Sequence, residues 1–407
     1  MKVTIIAGYY PPEKSADTRL NDELAKGFGE LGAEVTVVVP FPSRGLSIEQ
    51  QKNYQNRREE QISSRVRVIR VGGRKPYSKG LLCRAIHYIS NAYQMFKYAK
   101  RTPTDVYFIV STPPFLGYVA AILGKKKPVV YKLQDVFPDS LMLAKNLNKR
   151  GPFLALLRQL EKRVYKNVAQ INVVSEDIAK TLELKGVSRR KISVVYDWVD
   201  IEKSYEVSRE SNLLFERFCL SHDKFYVCYA GNIGYLQNVS TLVYAADIVV
   251  KQRDIEFIII GDGIQAKELD ALIAQNGRGK YIHRYPWQSE NEIASIYSIG
   301  DIGIVTIKKG VTNIALPSKT WNILAARRPV VCEIDRDSVL STIIEEVNCG
   351  YSVEPGNYNR LAEAIIYLHD NKDLREEMAT RGRVYVENEL RSKLSIKAHF
   401  QTVVDRC

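Results

Sequence analysis

Short β-branched runs alternate with longer helical patterns along almost the whole chain. In the first half, seven runs read as strands: VTIIAG, EVTVVVP, VRVIRV, DVYFIV, PVVYKL, QINVV and ISVVY. Helical patterns lie between them, at about 17–31, 80–100, 114–124, 151–167 and 176–185. Because the strands are nearly continuous in apolar residues, the alternation predicts a parallel sheet covered by helices on both faces.

The same rhythm restarts at about residue 224, after a stretch near 198–222 in which charged residues and serine replace the periodicity. A chain of 407 residues is also too long for a single hydrophobic core. We therefore predict an α/β protein of two Rossmann-like, doubly wound parallel-sheet domains that face each other across a cleft. The second set of strands is read as KFYVCYAG, IEFIIIGDG, YIHRY, DIGIVTI, PVVCE and GYSV.

The basic residues are concentrated in the first half of the chain. Residues 1–200 contain 34 Lys and Arg against 18 Asp and Glu, which is a net charge of +16, whereas the net charge of the whole chain is +13. Such asymmetry favours a first domain that faces a polyanion, either nucleic acid or an anionic lipid surface. No nucleic-acid recognition motif accompanies the charge, so we expect no nucleic-acid partner.

The sequence shows no apolar run of 18 residues, no evident secretory signal and no C-x-x-C pair. These features predict a cytoplasmic protein with reduced cysteines and no membrane span.

Ligands of such sheets bind beyond the carboxyl ends of the strands, so the turns there are the places to seek function. The first turn, 7–19, lacks G-x-G-x-x-G, which disfavours a nicotinamide enzyme. Its double proline and Glu13 predict a rigid rim of the cleft, and Glu13 is a candidate catalytic residue.

In the turn YKLQDVFPDSL, Gln134 and Asp135 are candidates for the acceptor side, with Asp135 orienting a hydroxyl or stabilising positive charge. An Asx-type turn is the alternative for Asp135.

Glycine turns in the second half predict a phosphate site. Gly231 and Gly234 flank Asn232, and the next strand ends in Gly261, Asp262 and Gly263. Small residues at these turns let a phosphate approach backbone N–H groups. The following turn offers Tyr285, Pro286 and Trp287 as an edge for a nucleobase, with a core position as the alternative for the tryptophan.

The stretch LPSKTWNILAARRPVV predicts the strongest anion site. Pro317 and Ser318 open a helix, whose first N–H groups have no partners within the helix. Lys319 adds a cation at the positive end of the helix dipole, and together these groups predict a diphosphate site. A solvated surface lysine is the alternative.

Other chemistries have little support. No G-x-S-x-G elbow is present, and the five histidines lack the spacing of metal ligands. Asp335 and Asp337 form a D-x-D pair, which we interpret as a helix-capping turn, so no metal is expected.

Seven stretches of the chain together resemble a known family. They are YYPPEKSADTRLNDELAKGFGELGAEVTVV, LQDVFPDS, LEKRVYKNVAQINVVSEDIAKTLELKGVSRRKISVVYDWVD, YAGNIGYLQNVSTLVYAA, FIIIGDG, SIYSIGDIGIVTI and LPSKTWNILAARRPVV. In this order they resemble glycosyltransferase family 4, which has the GT-B fold. Within the family the chain is most similar to bacterial surface-polysaccharide transferases, including N-acetyl-L-fucosamine transferases of O-antigen and capsule assembly.

The resemblance implies retaining transfer from a nucleotide-sugar, usually UDP-linked, without an essential metal or other cofactor. It places the acceptor in an N-terminal domain, 1–203, and the donor in a C-terminal domain, 204–389. It also implies that a last helix, 390–407, packs back onto the N-terminal domain. The basic first half then fits a polyprenyl-diphosphate-linked acceptor at the inner face of a bacterial plasma membrane.

The chain departs from the family at four positions. Neutral Asn232 and Gln237 stand where the family often has Arg and Lys, and the family's two glutamates are replaced near Ile314 and at Asn322. We therefore expect the donor to be held by the Asn322 amide, by backbone groups around 312–315 that include Thr312, and by Lys319. A changed donor pocket favours an unusual sugar, such as a 6-deoxy-hexosamine.

The segment 79–101 mixes apolar residues with Arg84, Lys97, Lys100 and Arg101, so it is a candidate helix at the membrane interface. A core-facing helix with a solvated basic edge is the alternative. Two other functions stay open from the sequence: a UDP-sugar 2-epimerase, and a catalytically silent subunit that binds sugar nucleotides.

Overall fold

The computed structural model describes residues 1–13, 16–43, 45–54, 57–72, 81–145 and 151–407, apart from the side chains at 16, 48, 81–85, 145 and 290. These residues form two compact units. The first unit contains most of the chain up to Asp197 together with Ser392–Cys407. The second contains Trp198–Arg391 and a short segment that begins at Met142.

The first unit is built on an eight-stranded sheet with the strand order β3-β4-β2-β1-β5-β6-β7-β8. The central strands are rich in valine and isoleucine because both faces are covered, and β5, VYFIV, is buried at every position. The strands are β1 Lys2–Ile6, β2 Glu34–Pro40, β3 Glu59–Ser63, β4 Val66–Val71, β5 Val106–Val110, β6 Val129–Leu133, β7 Gln170–Val173 and β8 Ile192–Val194.

The second unit is built on a six-stranded parallel sheet with the strand order β11-β10-β9-β12-β13-β14. Parallel strands end at the same edge, so the turns after β9, β10, β12 and β13 gather on one side of this sheet. The strands are β9 Phe225–Ala230, β10 Ile255–Ile260, β11 Ile282–Tyr285, β12 Ile302–Thr306, β13 Val330–Glu333 and β14 Gly350–Val353.

Helices connect the strands of each sheet. Four short 3-10 helices also occur in the described ranges, at Arg189–Lys191, Arg209–Ser211, Gln275–Lys280 and Glu290–Glu292. The α-helices are α1 Ala16–Glu30, α2 Ile48–Tyr54, α3 Leu81–Ala99, α4 Leu116–Leu123, α5 Asp139–Lys145, α6 Pro152–Asn167, α7 Glu176–Leu184, α8 Leu213–Arg217, α9 Ser240–Val249, α10 Ala266–Ala274, α11 Ile293–Ser298, α12 Lys319–Ala325, α13 Val339–Val347, α14 Tyr358–Asp370, α15 Lys372–Glu389 and α16 Ser392–Val404.

The final helix belongs to the first unit. The α16 helix packs against α1, where Phe400 meets Phe28 with ring centroids 5.3 Å apart. His399 of α16 is fully buried, and the Asn172 side chain of β7 lies 3.0 Å from its Nδ1 atom. These interactions tie the last residues of the chain to the first sheet.

The predicted fold class, α/β with doubly wound parallel sheets, is confirmed, and the strands predicted in the first half are found. The sequence analysis missed β3, which pairs antiparallel with β4 at the sheet edge. Its residues, EEQIS, alternate between exposed and partly buried, so the strand lacks the apolar run that identifies its neighbours. The sheet is therefore mixed at one edge.

Candidate active site

Two glycine turns meet at the carboxyl edge of the second sheet. The N–H of Gly231 donates to the Ile260 carbonyl at 2.9 Å, which joins the end of β9 to the end of β10. A Cβ atom on Gly261 would lie 1.9 Å from the Gly231 carbonyl oxygen, and Gly261 has φ +152°. A Cβ atom on Gly263 would lie 2.2 Å from the Ile233 carbonyl oxygen. The glycines are thus needed for the two turns to touch each other, a constraint that the sequence analysis assigned to a ligand.

Lys319 points its ammonium group at the first of these turns. Its Nζ atom donates to the Tyr229 hydroxyl at 2.7 Å, and a Cβ atom on Gly231 would lie 2.7 Å from Nζ. Within the described part of the chain, no carboxylate forms an ion pair with Lys319, and removal from water lowers the pKa of its ammonium to about 7. A cation in this setting favours an anionic ligand.

The helix that begins at Lys319 contributes less than the sequence predicted. The N–H of Thr320 donates to the Pro317 carbonyl at 3.1 Å, and the N–H of Trp321 donates to the Ser318 carbonyl at 3.2 Å. The N–H groups of Thr320 and Trp321 are therefore not free, so the prediction is wrong for these two groups. The predicted anion site therefore depends mainly on the Lys319 side chain.

Neutral side chains line the first turn. The Asn232 amide donates to Gln237 Oε1 at 3.3 Å, so the two residues that replace the family's cations contact each other. Asp262 caps its own turn: its carboxylate accepts from the N–H of Gly263 at 2.7 Å. A Cβ atom on Gly234 would lie 2.7 Å from Asn232 Nδ2. The first turn is therefore tightly packed, and its residues 231–238 include no Lys or Arg.

The candidate nucleobase edge is partly occupied by the protein. The Tyr285 ring stacks on Phe218 with ring centroids 3.7 Å apart and an interplanar angle of 4°. Pro286 is exposed, and Trp287 is 42% exposed, which excludes the core alternative for this tryptophan. Ser289 caps the next helical turn through a capping box with Glu292.

Hydrogen bonds to the Asp335 side chain hold the loop before Lys319 in place. Thr312 is buried and its hydroxyl donates to Asp335 at 2.7 Å, while Asp335 also accepts from the N–H of Gly310 at 2.9 Å. Asn322 accepts from the Ser204 hydroxyl at 3.1 Å. Asp335 therefore supports this loop. The sequence analysis interpreted Asp335 and Asp337 as a helix-capping turn, but Ser338 caps the following helix, α13, so that interpretation is wrong. Contacts of Thr312 with a ligand would have to come from its backbone.

Glu333, at the end of β13, is a residue that the sequence analysis missed. It is fully buried, accepts from the Asn238 amide at 2.7 Å and also accepts from the N–H of Gly356. Burial raises the pKa of this carboxyl to about 7. Because Asn238 closes the first glycine turn with φ +50°, Glu333 fixes that turn from behind. In the sequence, Glu333 could have been noticed as a charged residue at the end of the apolar run VVCE.

In the first unit, Gln134 and Asp135 follow β6 at the carboxyl edge of the sheet. The Gln134 amide donates to Asp17 at 2.9 Å and accepts from the Thr112 hydroxyl at 2.7 Å. The Asp135 side chain is exposed to solvent, although protein surrounds it on most sides. That surrounding protein, and then the charges of Asp17 and Asp197, raise the pKa of Asp135 to about 6. Asp135 can therefore change charge near neutral pH.

A buried ion pair lies beneath these two residues. Lys132 is 1% exposed and its Nζ atom lies 2.5 Å from Asp197 Oδ1. Burial raises the pKa of the Asp17 carboxyl, an effect that the charge of Lys132 partly offsets. A lysine within the apolar run PVVYKL was the signal for this pair, but its partner lies 65 positions away along the chain.

Glu13 has a supporting contact. It is buried, and its carboxylate accepts from the N–H of Ser43 at 2.9 Å, which joins the first turn to the loop after β2. Its catalytic role stays a prediction.

The α3 helix presents an apolar stripe to solvent. Ile86, Ile89 and Tyr93 are 60%, 52% and 59% exposed, and Lys97 lies exposed one turn further on. The side chain of Arg84, and residues 79 and 80 of the predicted segment, lie outside the described residues.

Two family models match consecutive parts of the chain. The model described as Glycosyltransferase Family 4 matches residues 18–203, and the model described as Glycosyl transferases group 1 matches residues 212–385.

Two curated bacterial proteins are similar in sequence. "Probable glycosyltransferase WbjE" of Pseudomonas aeruginosa is 28% identical over 265 residues, which cover 64% of this chain and 64% of WbjE, just under two thirds of its length. WcaI of Escherichia coli K12, whose name refers to colanic acid biosynthesis, is 24% identical over 90% of this chain and 91% of WcaI.

A solved structure shares the fold over the full length. The Anabaena protein Alr3699/HepE, in complex with UDP and glucose, matches with a TM-score of 0.74 and 15% identity, covering 100% of both chains. The GT-B fold expected from the resemblance is confirmed.

Proposed function

We propose that this chain, which belongs to glycosyltransferase family 4, moves a sugar from a UDP-sugar to a polyprenyl-diphosphate-linked glycan. Transfer would retain the configuration of the donor sugar, in the biosynthesis of a bacterial surface polysaccharide. The donor would bind the C-terminal domain, 204–389. The acceptor would bind the N-terminal domain, 1–203, with its returning helix, 390–407.

The observation that carries the proposal is the position of Lys319. Its ammonium group lies against the Gly231 turn with no carboxylate partner in the described residues. A diphosphate placed there would supply the missing negative charge and restore the full charge of Lys319. The UDP bound by the structurally similar Alr3699/HepE supports UDP as the nucleotide.

Catalysis in this proposal is stabilisation of the leaving diphosphate. Negative charge grows on the phosphate oxygens as the bond to the sugar breaks. A fixed cation that meets this charge in the transition state more strongly than in the ground state raises the rate. Lys319 fulfils this role, and Tyr229 and Gly231 hold its ammonium group in place.

The rest of the donor would be held by neutral groups. The Asn322 amide, and backbone groups of 312–315, take the positions left by the family's two glutamates. Asn232 and Gln237 lie on the turn beside the diphosphate, and Tyr285 and Trp287 offer the edge for uracil. N-acetyl-L-fucosamine is the first donor sugar to test.

The acceptor would be oriented by Asp135. Its carboxylate reaches solvent beside Gln134, and its pKa of about 6 leaves it ionised at neutral pH and able to accept a hydrogen bond from a sugar hydroxyl. The acceptor proton can pass to the departing phosphate, so no strong side-chain base is needed.

A lipid-linked acceptor and a peripheral position at the cytoplasmic membrane face fit the charge of the first half and the exposed stripe of α3. The name of WcaI, which refers to colanic acid biosynthesis, supports a polysaccharide product. Of the helices that the structure describes, none is both long enough and apolar enough to cross a bilayer.

A panel of nucleotides and nucleotide-sugars in thermal-shift assays tests the donor, because a ligand that binds only the folded protein raises its stability by mass action. UDP and one UDP-sugar should raise the melting temperature, and GDP and CDP should not. Transfer of that sugar to polyprenyl-diphosphate-linked glycans is then measured by mass spectrometry.

Three results would contradict the proposal. A preference for another nucleotide would refute the donor. Epimerised sugar from an incubation with donor alone would indicate a UDP-sugar 2-epimerase. Donor binding without transfer to any acceptor would indicate a catalytically silent subunit.

A further inference from the structure

A small recess opens in the first unit, beyond the carboxyl ends of β5 and β6 and between α4 and α6. Its volume is about 30 Å³, and its walls are mainly apolar, formed in part by Pro114, Leu133, Leu157 and Val164. Asp135 belongs to the same lining and is exposed to solvent. The recess therefore lies beside the carboxylate that we propose orients the acceptor.

The recess contains a hydroxyl group, that of the buried residue Tyr131, that forms no hydrogen bond with the described residues. Tyr131 is 4% exposed and lines the recess, and among the described residues no group forms a hydrogen bond with its hydroxyl. By contrast, the Tyr165 hydroxyl in the same lining donates to Glu161 at 3.0 Å, and Glu161 also accepts from Lys185 at 2.8 Å. Since the Tyr131 side chain lines the recess and its hydroxyl bonds to no described group, this hydroxyl is available to donate to a ligand atom or a water.

We propose that this recess receives the acetamido group of an N-acetylated sugar in the acceptor. This inference rests on the proposed glycosyltransferase function and extends it to the class of acceptor. The acetamido carbonyl accepts a hydrogen bond from Tyr131, and its methyl group packs against the apolar walls. The sugar ring then lies at the opening, next to Asp135.

The size and chemistry of the recess select this group over its alternatives. A volume of about 30 Å³ accommodates roughly two water-sized groups, which matches one carbonyl and one methyl. A sugar hydroxyl would bond to Tyr131 but would leave the apolar walls against a polar group. A 6-methyl group would suit the walls but would bury the Tyr131 hydroxyl unpaired.

Gly117 keeps the recess open. A Cβ atom at this position would lie 3.0 Å from the Tyr131 hydroxyl and 3.4 Å from Val164 Cγ2. A methyl group there would occupy the space that we assign to the acetamido group. Gly117 is therefore a specificity-determining position, and Gly117→Ala is the direct test.

The experiment compares two probes, octyl N-acetyl-glucosaminide and octyl glucoside, which differ only at the acetamido position. Saturation-transfer NMR and titration are carried out with the full chain. For the wild-type protein we expect the strongest transfer at the acetyl methyl protons, and binding of the N-acetylated probe at least ~10-fold tighter. Gly117→Ala should abolish this preference, and Tyr131→Phe should reduce it about 5-fold, since one hydrogen bond is lost.

Tyr107→Phe is the matched control, because Tyr107 is also buried in the first unit but donates to the Ala99 carbonyl at 3.2 Å, away from the recess. Equal binding of the two probes by the wild-type protein would overturn the inference. An unchanged preference in both Gly117→Ala and Tyr131→Phe would overturn it as well. Should Gly117→Ala fail to fold, Tyr131→Phe decides alone.

A UDP thermal shift on the same samples separates this inference from the proposed function. If UDP stabilises the protein and sugar is transferred without any acetamido preference, only the recess assignment fails. If UDP does not bind at all, the proposed function fails.

Discussion

The Lys319 ammonium lies 2.7 Å from the Tyr229 hydroxyl oxygen and 3.9 Å from the centroid of the Tyr229 ring. Removal from water lowers the pKa of this ammonium group to about 7. The ring face of Tyr229 is a favourable contact for the charged form of the lysine. The hydroxyl of Tyr229 in turn donates to the Asn232 carbonyl at 2.7 Å, which links the lysine to the glycine turn. Lys319 is therefore held in place before any ligand arrives.

Removing this cation should slow transfer strongly. We expect Lys319→Ala to lower kcat at least ~100-fold, in line with the loss of one strong contact to a developing oxyanion. Lys267→Ala, at an exposed lysine of α10, is the matched control and should retain wild-type turnover. Steady-state kinetics check both variants, and wild-type activity in Lys319→Ala would exclude its role.

UDP binding should take up a proton. Free Lys319 has a pKa of about 7 and is mostly neutral at pH 8.5, whereas a bound diphosphate raises that pKa and charges it. UDP affinity should therefore fall as pH rises above 7, by up to about tenfold per pH unit. Calorimetry at pH 8.5 in buffers of different ionisation enthalpy measures the uptake, which should approach one proton and vanish in Lys319→Ala. Proton release on binding would contradict the assignment.

Asp135→Asn should separate activity from stability. The folded-state pKa of about 6 lies above the ordinary aspartate value of 3.8, so ionisation of Asp135 disfavours the folded state, and this cost grows as pH rises from 3.8 to 6. The variant should lose about 100-fold in kcat yet melt at least about 2 °C higher at pH 7.5. The gain should shrink toward pH 4. Asp223→Asn, at an exposed carboxylate, should change neither quantity.

Gly261→Ala should destabilise the second unit. The added methyl would lie 1.9 Å from the Gly231 carbonyl oxygen, and the backbone at this position has φ +152°, so both overpacking and backbone strain apply. We expect the free energy of unfolding to fall by at least about 2 kcal/mol and UDP binding to be lost. All three tryptophans lie in the second unit, so their fluorescence in urea reports its unfolding. The control is Gly279→Ala, where no described atom lies within 4 Å of the added methyl.

The α3 stripe should bind anionic membranes. Vesicles containing phosphatidylglycerol should retain the protein at low salt and release it as screening increases. Ile86→Ser with Ile89→Ser should weaken binding at least ~10-fold, since two apolar side chains no longer insert. Leu184→Ser is the control, because Leu184 is 90% exposed on α7, away from the stripe. Salt-independent binding would refute the electrostatic part.

Some site residues could be selected from patterns of neighbouring residues, whereas the contacts that constrain them join distant positions of the chain. Gly231, Gly261 and Lys319 could be selected from the sequence because strand-end glycines and a lysine after a proline-led turn are local patterns. The reason for the glycines could not be read there, since Gly261 is constrained by a carbonyl 30 positions earlier in the chain. Likewise, the stacking of Tyr285 on Phe218 appears only once the two rings meet.

Local patterns along the chain specify the two sheets, their helices and the turns at their carboxyl ends, because backbone periodicity and turn chemistry act over a few neighbouring residues. Packing in three dimensions sets which side chains are isolated from water and which partners they meet. Lys132 meets Asp197, Glu333 meets Asn238, and the Tyr131 hydroxyl forms no hydrogen bond with any group in the described ranges. Burial and hydrogen bonding depend on distances through space, and the order of residues along the chain does not specify those distances.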